Sequence, residues 1–419
     1  MSEEYVKIWI KMLIAIVLGI VLAVFLPADN VSVKNIFSLL SKVSLNILLY
    51  FAVLHTFIRF FVGFVNMKKA KRSVKKPVAV FFLCILASLI FTVAISVFAM
   101  NIFSSPRESF FNFNQQSSYK MQLFTFSDLL QNIFPDNAVT ILTKSTSFLL
   151  PLLVLALILA AGTVKTGKKG EFFYDIMNSF AEILDTIEFY ILEFTPIFSF
   201  FIIAAFVRYG FSDVSNFAII LHPIGIIVVV CLVTVAVISV FFHVFFKISP
   251  AYYYRSVLGA ALVGAATGNV LSTIVPLNLH LKRNVKLNHD IVDILVPMGS
   301  VLNQTGTVIV STVVLMSIIV GYSLNILTLE LQFAIFLLVI LFSFRLDGST
   351  EFTFLVLIAM IFKVPELHLE ESSYLLFIGL APLFSRIAVF INVFTTGIYT
   401  LMAARYVSGI QPVENQESI

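Results

Sequence analysis

Asn303-Gln304-Thr305-Gly306-Thr307 sets four hydrogen-bonding side chains and a glycine inside an apolar run extending over residues 291–320. Hydrocarbon offers polar groups no partners, so such a break is tolerated at membrane depth only where protein encloses it or water reaches it. Amides and hydroxyls held in this way bind a polar solute or a small cation reversibly. Three more polar breaks interrupt apolar sequence: Thr267-Gly268-Asn269 with Ser272-Thr273 in 251–281, Arg345-Leu346-Asp347-Gly348-Ser349-Thr350-Glu351 in 331–363, and Ser385, Arg386, Asn392, Thr395 and Thr396 in 374–402. Discontinuous segments of this kind hold substrate and ions in secondary transporters. No catalytic triad or dyad, no His, Cys and carboxylate set with metal-ligand spacing and no glycine-rich phosphate loop can be read from the chain. No resident cofactor or metal is expected; a coupling cation, sodium or a proton, is left open.

The elements that must carry these breaks are membrane helices. Of 419 residues, 59% are hydrophobic and 12% charged, and the mean hydropathy is +1.02, a balance foreign to soluble domains. Runs long enough to cross a hydrocarbon core about 30 Å thick fall near 8–26, 35–65, 77–103, 146–164, 187–207 and 217–246. The first has no small-residue cleavage site after it and reads as a retained span. The net charge of +4 calls for no nucleic-acid partner, because the basic residues cluster in short loops at 68–76, 165–169 and 282–286. Such loops stay in the cytoplasm, which puts both termini inside and the stretches 104–128 and 366–371 outside. The expected location is the cytoplasmic membrane, in contact with lipid. Cys84 and Cys231 lie within apolar runs, so no disulfide framework is expected.

Beyond Pro250 the pattern changes. The segments 251–281 and 331–363 read as re-entrant helical hairpins with tips from opposite faces, although a glycine-kinked ordinary span is the alternative for either alone. Each is followed by a span with polar residues at its centre, so hairpin, span, hairpin, span forms an inverted repeat around a midplane site. The expected division is 1–76 for scaffold spans one and two, 77–103 for span three on the transport side, and 104–145 for an outer insertion leading into span four. Scaffold spans four and five follow at 146–208, span six at 209–249, the first hairpin at 250–289 and an unwound span seven at 290–321. The second hairpin takes 331–365, span eight 374–405 and a cytoplasmic tail 406–419. The fold class is thus an all-α polytopic membrane protein of about eight transmembrane helices plus two re-entrant hairpins.

Several elements resemble the dicarboxylate/amino acid:cation symporter family, the glutamate and aspartate transporters. Asp128 to Asn137 resembles the segment ahead of that family's fourth span, and Thr195-Pro196-Ile197-Phe198-Ser199-Phe200 its "APIGVF" element. Pro297-Met298-Gly299 with Asn303-Gln304-Thr305-Gly306-Thr307 resembles its "PLG…NMDGT" signature, Val275-Pro276 stands 21 residues before Pro297 as the family requires, and Ile391-Asn392-Val393 resembles part of "VNVTGD". The likeness covers most of the chain. It implies a homotrimer in which early spans form a scaffold and both hairpins with the last two unwound spans form a transport domain that moves like an elevator.

The chain departs from that family where charge is expected. Thr305 stands for the "NMDGT" aspartate; Ala381, Ser385 and Thr396 stand at last-span positions where aspartates are expected, and Ala388 at that of the substrate-binding arginine. Gly299, Asn303, Thr305, Asn392 and Thr396 are the candidate ion-binding positions, but neutral oxygens hold sodium weakly without a compensating carboxylate. Sodium coupling of the usual kind is therefore expected to be weakened or lost. New charges stand in the second hairpin. Intramembrane charge marks function by default, so Arg345 is a candidate for binding a substrate carboxylate, and Asp347 and Glu351 are proton-carrying candidates. A salt bridge among the three in extracellular water is the plainer alternative. For Arg386, pairing with a hairpin carboxylate and direct substrate contact both stand.

The remaining polar residues say less. His222, His243, His280, His289 and His368 lie at span ends or in loops and read as interface residues. Glu182, Asp185, Glu188 and Glu193 recur at helical spacing near span five, either as a polar seam or as a face at the membrane interface. The resulting expectation is a carrier of a small organic anion, a dicarboxylate or acidic amino acid, meeting Ser272, Thr273, Thr307, Arg345, Asp347, Gly348, Ser349, Arg386 and Asn392. An ion-uncoupled uniporter, exchanger or anion channel on the same fold, or a neutral amino acid carrier, is the rival. A membrane enzyme is disfavoured for want of a nucleophile.

Overall fold

The computed structural model describes residues 7–27, 30–103, 134, 137, 141, 149–210, 217–246, 250–285, 287–322, 328–343, 353–362 and 373–408, and every regular element among them is a helix. In chain order these are α1 (Ile8–Phe25), α2 (Val31–Tyr50), α3 (Ala52–Lys69), α4 (Lys75–Ile102), α5 (Leu150–Thr166), α6 (Lys168–Tyr209) and α7 (Phe217–Phe246). Then come α8 (Pro250–Thr267), α9 (Leu271–Val285), α10 (His289–Leu302), α11 (Thr305–Tyr322), α12 (Leu329–Ser343), α13 (Thr353–Phe362), a 3₁₀ stretch (Ser373–Leu380) and α14 (Ala381–Ser408). Seven spans among the described residues are long and apolar enough to cross a membrane. The eighth expected span is α5, whose 17 residues sit at the lower limit for crossing.

Both expected hairpins are broken helices. α8 ends at Thr267, Gly268 adopts φ +68°, and α9 begins at Leu271 with the Asn269 side chain accepting the Leu271 N–H at 2.8 Å. That φ is one a glycine reaches at no steric cost. In the second pair the described helices α12 and α13, roughly 22 and 15 Å long at 1.5 Å per residue, pack on each other, which two stretches of one continuous rod could not do. The tip residues Arg345, Asp347, Gly348, Ser349 and Glu351 lie outside the described residues.

Two expectations are corrected. The last span was expected to be unwound, yet α14 runs unbroken from Ala381 to Ser408. Its one proline, Pro382, falls in the first turn where proline is tolerated, and the Thr395 and Thr400 hydroxyls donate to the carbonyls of Ile391 (2.7 Å) and Thr396 (2.8 Å), satisfying themselves within the helix. Span five, expected from residue 187, is the C-terminal part of a 42-residue helix that begins at Lys168.

Burial sorts the spans into layers. Within the apolar window of 289–320, 89% of residues are buried, against 22% in α1. α10 and α11 therefore form the centre, while α1 and α7 present Val17, Leu18, Val24, Leu232 and Val240 outward as exposed apolar surface. α4, α8, α10 and α11 pack around α14, whereas α1 and α2 pack along α6, and α3 along α5. The two groups meet where α3 lies against α10 and α9 and where α8 lies against α1 and α6.

Candidate functional site

At the junction between α10 and α11 the chain leaves helical geometry at Asn303 and Gln304. Both residues are about 1% exposed, so every polar group freed by the break must be paired within the protein. α14 supplies most of the partners. The Asn303 amide donates to the Asn392 carbonyl at 2.9 Å, to Thr395 Oγ1 at 2.7 Å and to Thr396 Oγ1 at 2.8 Å. In return the Asn392 side-chain oxygen accepts the Gly306 N–H at 2.7 Å, and its NH2 donates to Thr307 Oγ1 at 3.0 Å. The Thr305 hydroxyl donates to Asn303 Oδ1 at 2.6 Å and lies 3.1 Å from Ser88 Oγ of α4. Thr307 closes the circuit by donating to Gln304 Oε1 at 2.9 Å.

Close approach makes this possible. A Cβ on Gly306 would overlap the Ala388 carbonyl oxygen and lie 2.8 Å from Ile391 Cβ. α11 therefore lies directly on the α14 backbone at this point. Gly299 sits equally tightly against the Thr396 side chain, and its carbonyl accepts the Asn303 N–H at 2.9 Å.

The tip of the first hairpin reaches α14 about two turns earlier, roughly 10 Å along the helix from Asn392. There Ser385 Oγ donates to the Gly268 carbonyl at 2.8 Å. Ser272 is buried and bonded to Thr267 Oγ1 and the Asn269 carbonyl, each at 2.8 Å, while the Thr273 hydroxyl, in the first turn of α9, donates to the Val270 carbonyl at 2.6 Å. Arg386 is buried beside Gly268; its guanidinium lies 3.6 Å from the centre of the Phe206 ring on α6, and it donates to the Pro382 carbonyl at 2.7 Å. Of the candidate residues, Asn303, Thr305, Thr307, Asn392 and Thr396 thus come together with Gly299, and Ser272, Thr273 and Arg386 gather at the tip. Ser88, Gln304 and Thr395 complete the junction and were not among the candidates.

Comparison with known proteins accounts for this order of elements. The model of the sodium:dicarboxylate symporter family matches residues 8–406. The chain belongs to that family. Among relatives, it is 22% identical over 413 residues to a C4-dicarboxylate transport protein of Paracidovorax citrulli, covering 96% of this chain and 88% of that protein. It is also 22% identical over 406 residues to a C4-dicarboxylate transport protein of Paraburkholderia phymatum, covering 96% of this chain and 93% of that one. This symporter-family chain is accordingly a multi-pass membrane transporter and not an enzyme.

A second polar centre in this symporter-family chain lies between α3 and α6 on one side and α9 and α10 on the other. His55 Nδ1 is 2.6 Å from Glu188 Oε2, with both side chains essentially unexposed. One turn along α3, Arg59 pairs with Asp185 of α6 and donates to the Ala181 carbonyl at 2.9 Å. Its other terminal nitrogen faces Asp293 of α10 at 3.9 Å, and Asp293 also holds Lys282 of α9 at 2.5 Å and the Asn278 amide at 2.9 Å.

This arrangement decides between two readings and corrects one. Glu182 is exposed, but Asp185 and Glu188 follow the polar-seam reading and not that of a membrane-interface face. His280 is no interface residue either: it is buried in α9, against the spot where Gly259 leaves room on α8. No metal set was legible by spacing, yet His55, Asp185 and Glu188 offer ligand atoms within 4.8 Å of one another, because helix packing joins residues 130 or more positions apart. The missed signal was local: His55 and Arg59, four apart, lie on one face of an apolar helix, where ionisable residues are costly.

Proposed function

We propose that this protein is a secondary transporter of a small dicarboxylate, moved by an elevator displacement across the cytoplasmic membrane. The carrying observation is the buried α10–α11 break, whose amides and hydroxyls are clamped to α14 by Asn303 and Asn392. Membership in the family and the printed names of both relatives support the solute class. In this reading α4 and α7–α14 shift as one body against α1–α3, α5 and α6, each protomer within a lipid-embedded homotrimer with its termini in the cytoplasm. Hydroxyls of Ser272, Thr273 and Thr307 and the Asn392 amide meet the solute, with Arg386 beside the first tip and Arg345, Asp347, Gly348 and Ser349 at the second. Glu351 and Asp347 remain the hairpin's proton-carrying candidates.

The same neutrality favours a carrier without the usual sodium coupling. Among the described residues of the junction no carboxylate is present to compensate a bound sodium ion, and the Asn303 and Asn392 oxygens are already engaged. The test is exchange of labelled succinate by purified protein in liposomes. Rapid exchange that survives removal of sodium is the expected result. Failure to exchange any four-carbon dicarboxylate removes the solute assignment, and uptake that collapses without a sodium gradient removes the sodium-independent reading.

A substitution sharpens the ion argument. Thr305→Asp puts a carboxylate between Ser88 and Asn303, where burial leaves it unpaired unless a cation or proton joins it. The variant is expected to be stabilised by sodium over potassium in a melting experiment, by up to about 2.7 kcal/mol at a hundredfold excess over the dissociation constant. The parent protein is expected to melt at the same temperature in both salts. A parent that already distinguishes sodium overturns the argument.

A further inference from the structure

We propose that a basic cavity between the ends of α3, α4, α10 and α14 binds the phosphodiester headgroup of an anionic phospholipid. Its place beside the loop 68–76 assigns it to the cytoplasmic side. The cavity holds about 860 Å³, and Arg72, Ser73, Lys76, Asn288 and Tyr406 bring its polar groups. That volume falls within the roughly 300–1,000 Å³ usual for small-ligand sites. All five side chains can donate hydrogen bonds, and two of them are cations, a set that suits phosphate oxygens, which only accept. No carboxylate lines the cavity among the described residues.

Neighbouring charges are engaged elsewhere, whereas these two cations are not. Lys69 Nζ lies 3.6 Å from the centre of the Tyr174 ring and Lys68 Nζ 5.7 Å from that of Phe64. Asp290, the carboxylate closest in sequence to Asn288, accepts from the Asn66 amide at 2.9 Å. Asn288 spends its side-chain oxygen on the Asp290 N–H at 3.0 Å, which leaves its NH2 to donate to a ligand. Among the described residues neither Arg72 nor Lys76 enters an ion pair. Lys76 also stands beside Lys75 in the first turn of α4, where no acidic residue offsets them, and cations at that end of a helix are unfavourable. The stability of α4 therefore gives no reason for Lys76, and an anion in the cavity does.

The backbone fixes where Arg72 stands. α3 ends in a closed turn in which the Arg72 N–H donates to the Met67 carbonyl at 2.9 Å and the Lys71 N–H to that of Lys68 at 3.0 Å, with Lys71 at φ +54°. Glycine is the usual residue there, because a side chain crowds the left-handed region. Met67 is fully buried and lines the cavity itself, so the turn that carries Arg72 is anchored in the packed end of α3.

The surface that leads away from the cavity favours a lipid over a free anion. Lys76 and Val80 line the cavity, and the same face of α4 continues through Leu83 and Ile90, which are 62% and 44% exposed. From Lys76 to Ile90 is about 21 Å along the helix, enough to reach through one leaflet of a hydrocarbon core about 30 Å thick. A headgroup held by Arg72 and Lys76 lays its acyl chain along that apolar stripe, whereas a soluble phosphate makes no use of it. Basic pockets between helices on the cytoplasmic side take anionic headgroups on the same physical grounds. The site also spans the connection between the two helix groups, so an occupying headgroup braces α4 and α10 against the end of α3.

The test is melting of the purified full-length protein in detergent with phosphatidylglycerol, phosphatidylcholine or inorganic phosphate added. Phosphatidylglycerol is expected to raise the parent's melting temperature with a saturable dose response, and neither of the other two is. Arg72 and Lys76 are exposed, so Arg72→Gln combined with Lys76→Gln is expected to melt with the parent when no lipid is added. That variant is expected to need about twenty-five times as much phosphatidylglycerol for the same shift, a factor of about five for each basic residue near an anionic surface. Lys168→Gln combined with Lys169→Gln removes two exposed charges at the start of α6 and is expected to keep the parent's dose response. A parent that phosphatidylglycerol does not stabilise overturns the proposal. So does an Arg72 and Lys76 variant that responds like the parent, or a Lys168 and Lys169 variant that loses as much. Stabilisation by inorganic phosphate equal to that by phosphatidylglycerol overturns the lipid assignment, because the acyl chains would then contribute nothing. No solute enters the measurement, so its outcome stands apart from the transport reading.

Discussion

Replacing Gly306 by valine is expected to destabilise the protein by about 3 kcal/mol or more and to abolish solute exchange, because the added side chain has no volume to occupy. Its Cβ would overlap the Ala388 carbonyl oxygen and crowd Ile391 Cβ at 2.8 Å. A backbone carbonyl inside an unbroken helix cannot step aside as a flexible side chain can, so α11 must lift away from α14. That movement stretches the Gly306 N–H bond to Asn392 Oδ1 and the Asn392 bond to Thr307. A buried donor losing its acceptor costs a further 1–3 kcal/mol, roughly. Lowered melting temperature and lost exchange should therefore appear together. Gly162, with open space around its Cβ position, supplies the control: Gly162→Val is expected to leave both readouts close to the parent's. A Gly306→Val protein that melts with the parent would mean that α11 does not rest on α14.

How much of this was legible in the chain depends on how local each signal is. The hairpin break at Gly268 and the junction at Asn303 announce themselves, since polar residues and glycine inside apolar runs have few explanations. The family likeness rested on the same stretches and their order. The continuity of α14 was not legible, because Thr395 and Asn392 look like unwinding residues until the Thr395 hydroxyl is seen bonding along the helix and the Asn392 side-chain amide across to Gly306 and Thr307. The seam was hidden for a different reason. Glu188 finds His55 133 positions away and Asp293 finds Arg59 across more than 230, and no periodicity within one helix reveals which faces of four helices will meet. What sequence alone offered was a pair of ionisable residues in an apolar helix, and His55 and Arg59 carried that mark.

The two polar centres differ in a way that bears on mechanism. The junction is neutral and closed, each amide satisfied by hydroxyls and carbonyls of α4, α10, α11 and α14. The seam is charged and lies between α3 and α6 on one side and α9 and α10 on the other. Binding chemistry thus belongs within one group of helices, and charge compensation belongs between two.

Removing Asp293 should expose that difference most sharply. Asp293→Ala is expected to cost about 3–5 kcal/mol, the usual penalty for stripping one partner from a buried ion pair, since Lys282 loses its carboxylate at 2.5 Å and Arg59 loses its second one. The Asn278 amide loses its acceptor too. Asp293→Leu combined with Lys282→Leu is expected to recover most of the loss, because a buried pair replaced by apolar side chains of similar volume is often neutral or stabilising. Arg59 stays held by Asp185 in the double variant. Unfolding titrations in detergent measure both effects. A double variant as unstable as Asp293→Ala would show that the carboxylate serves packing rather than charge.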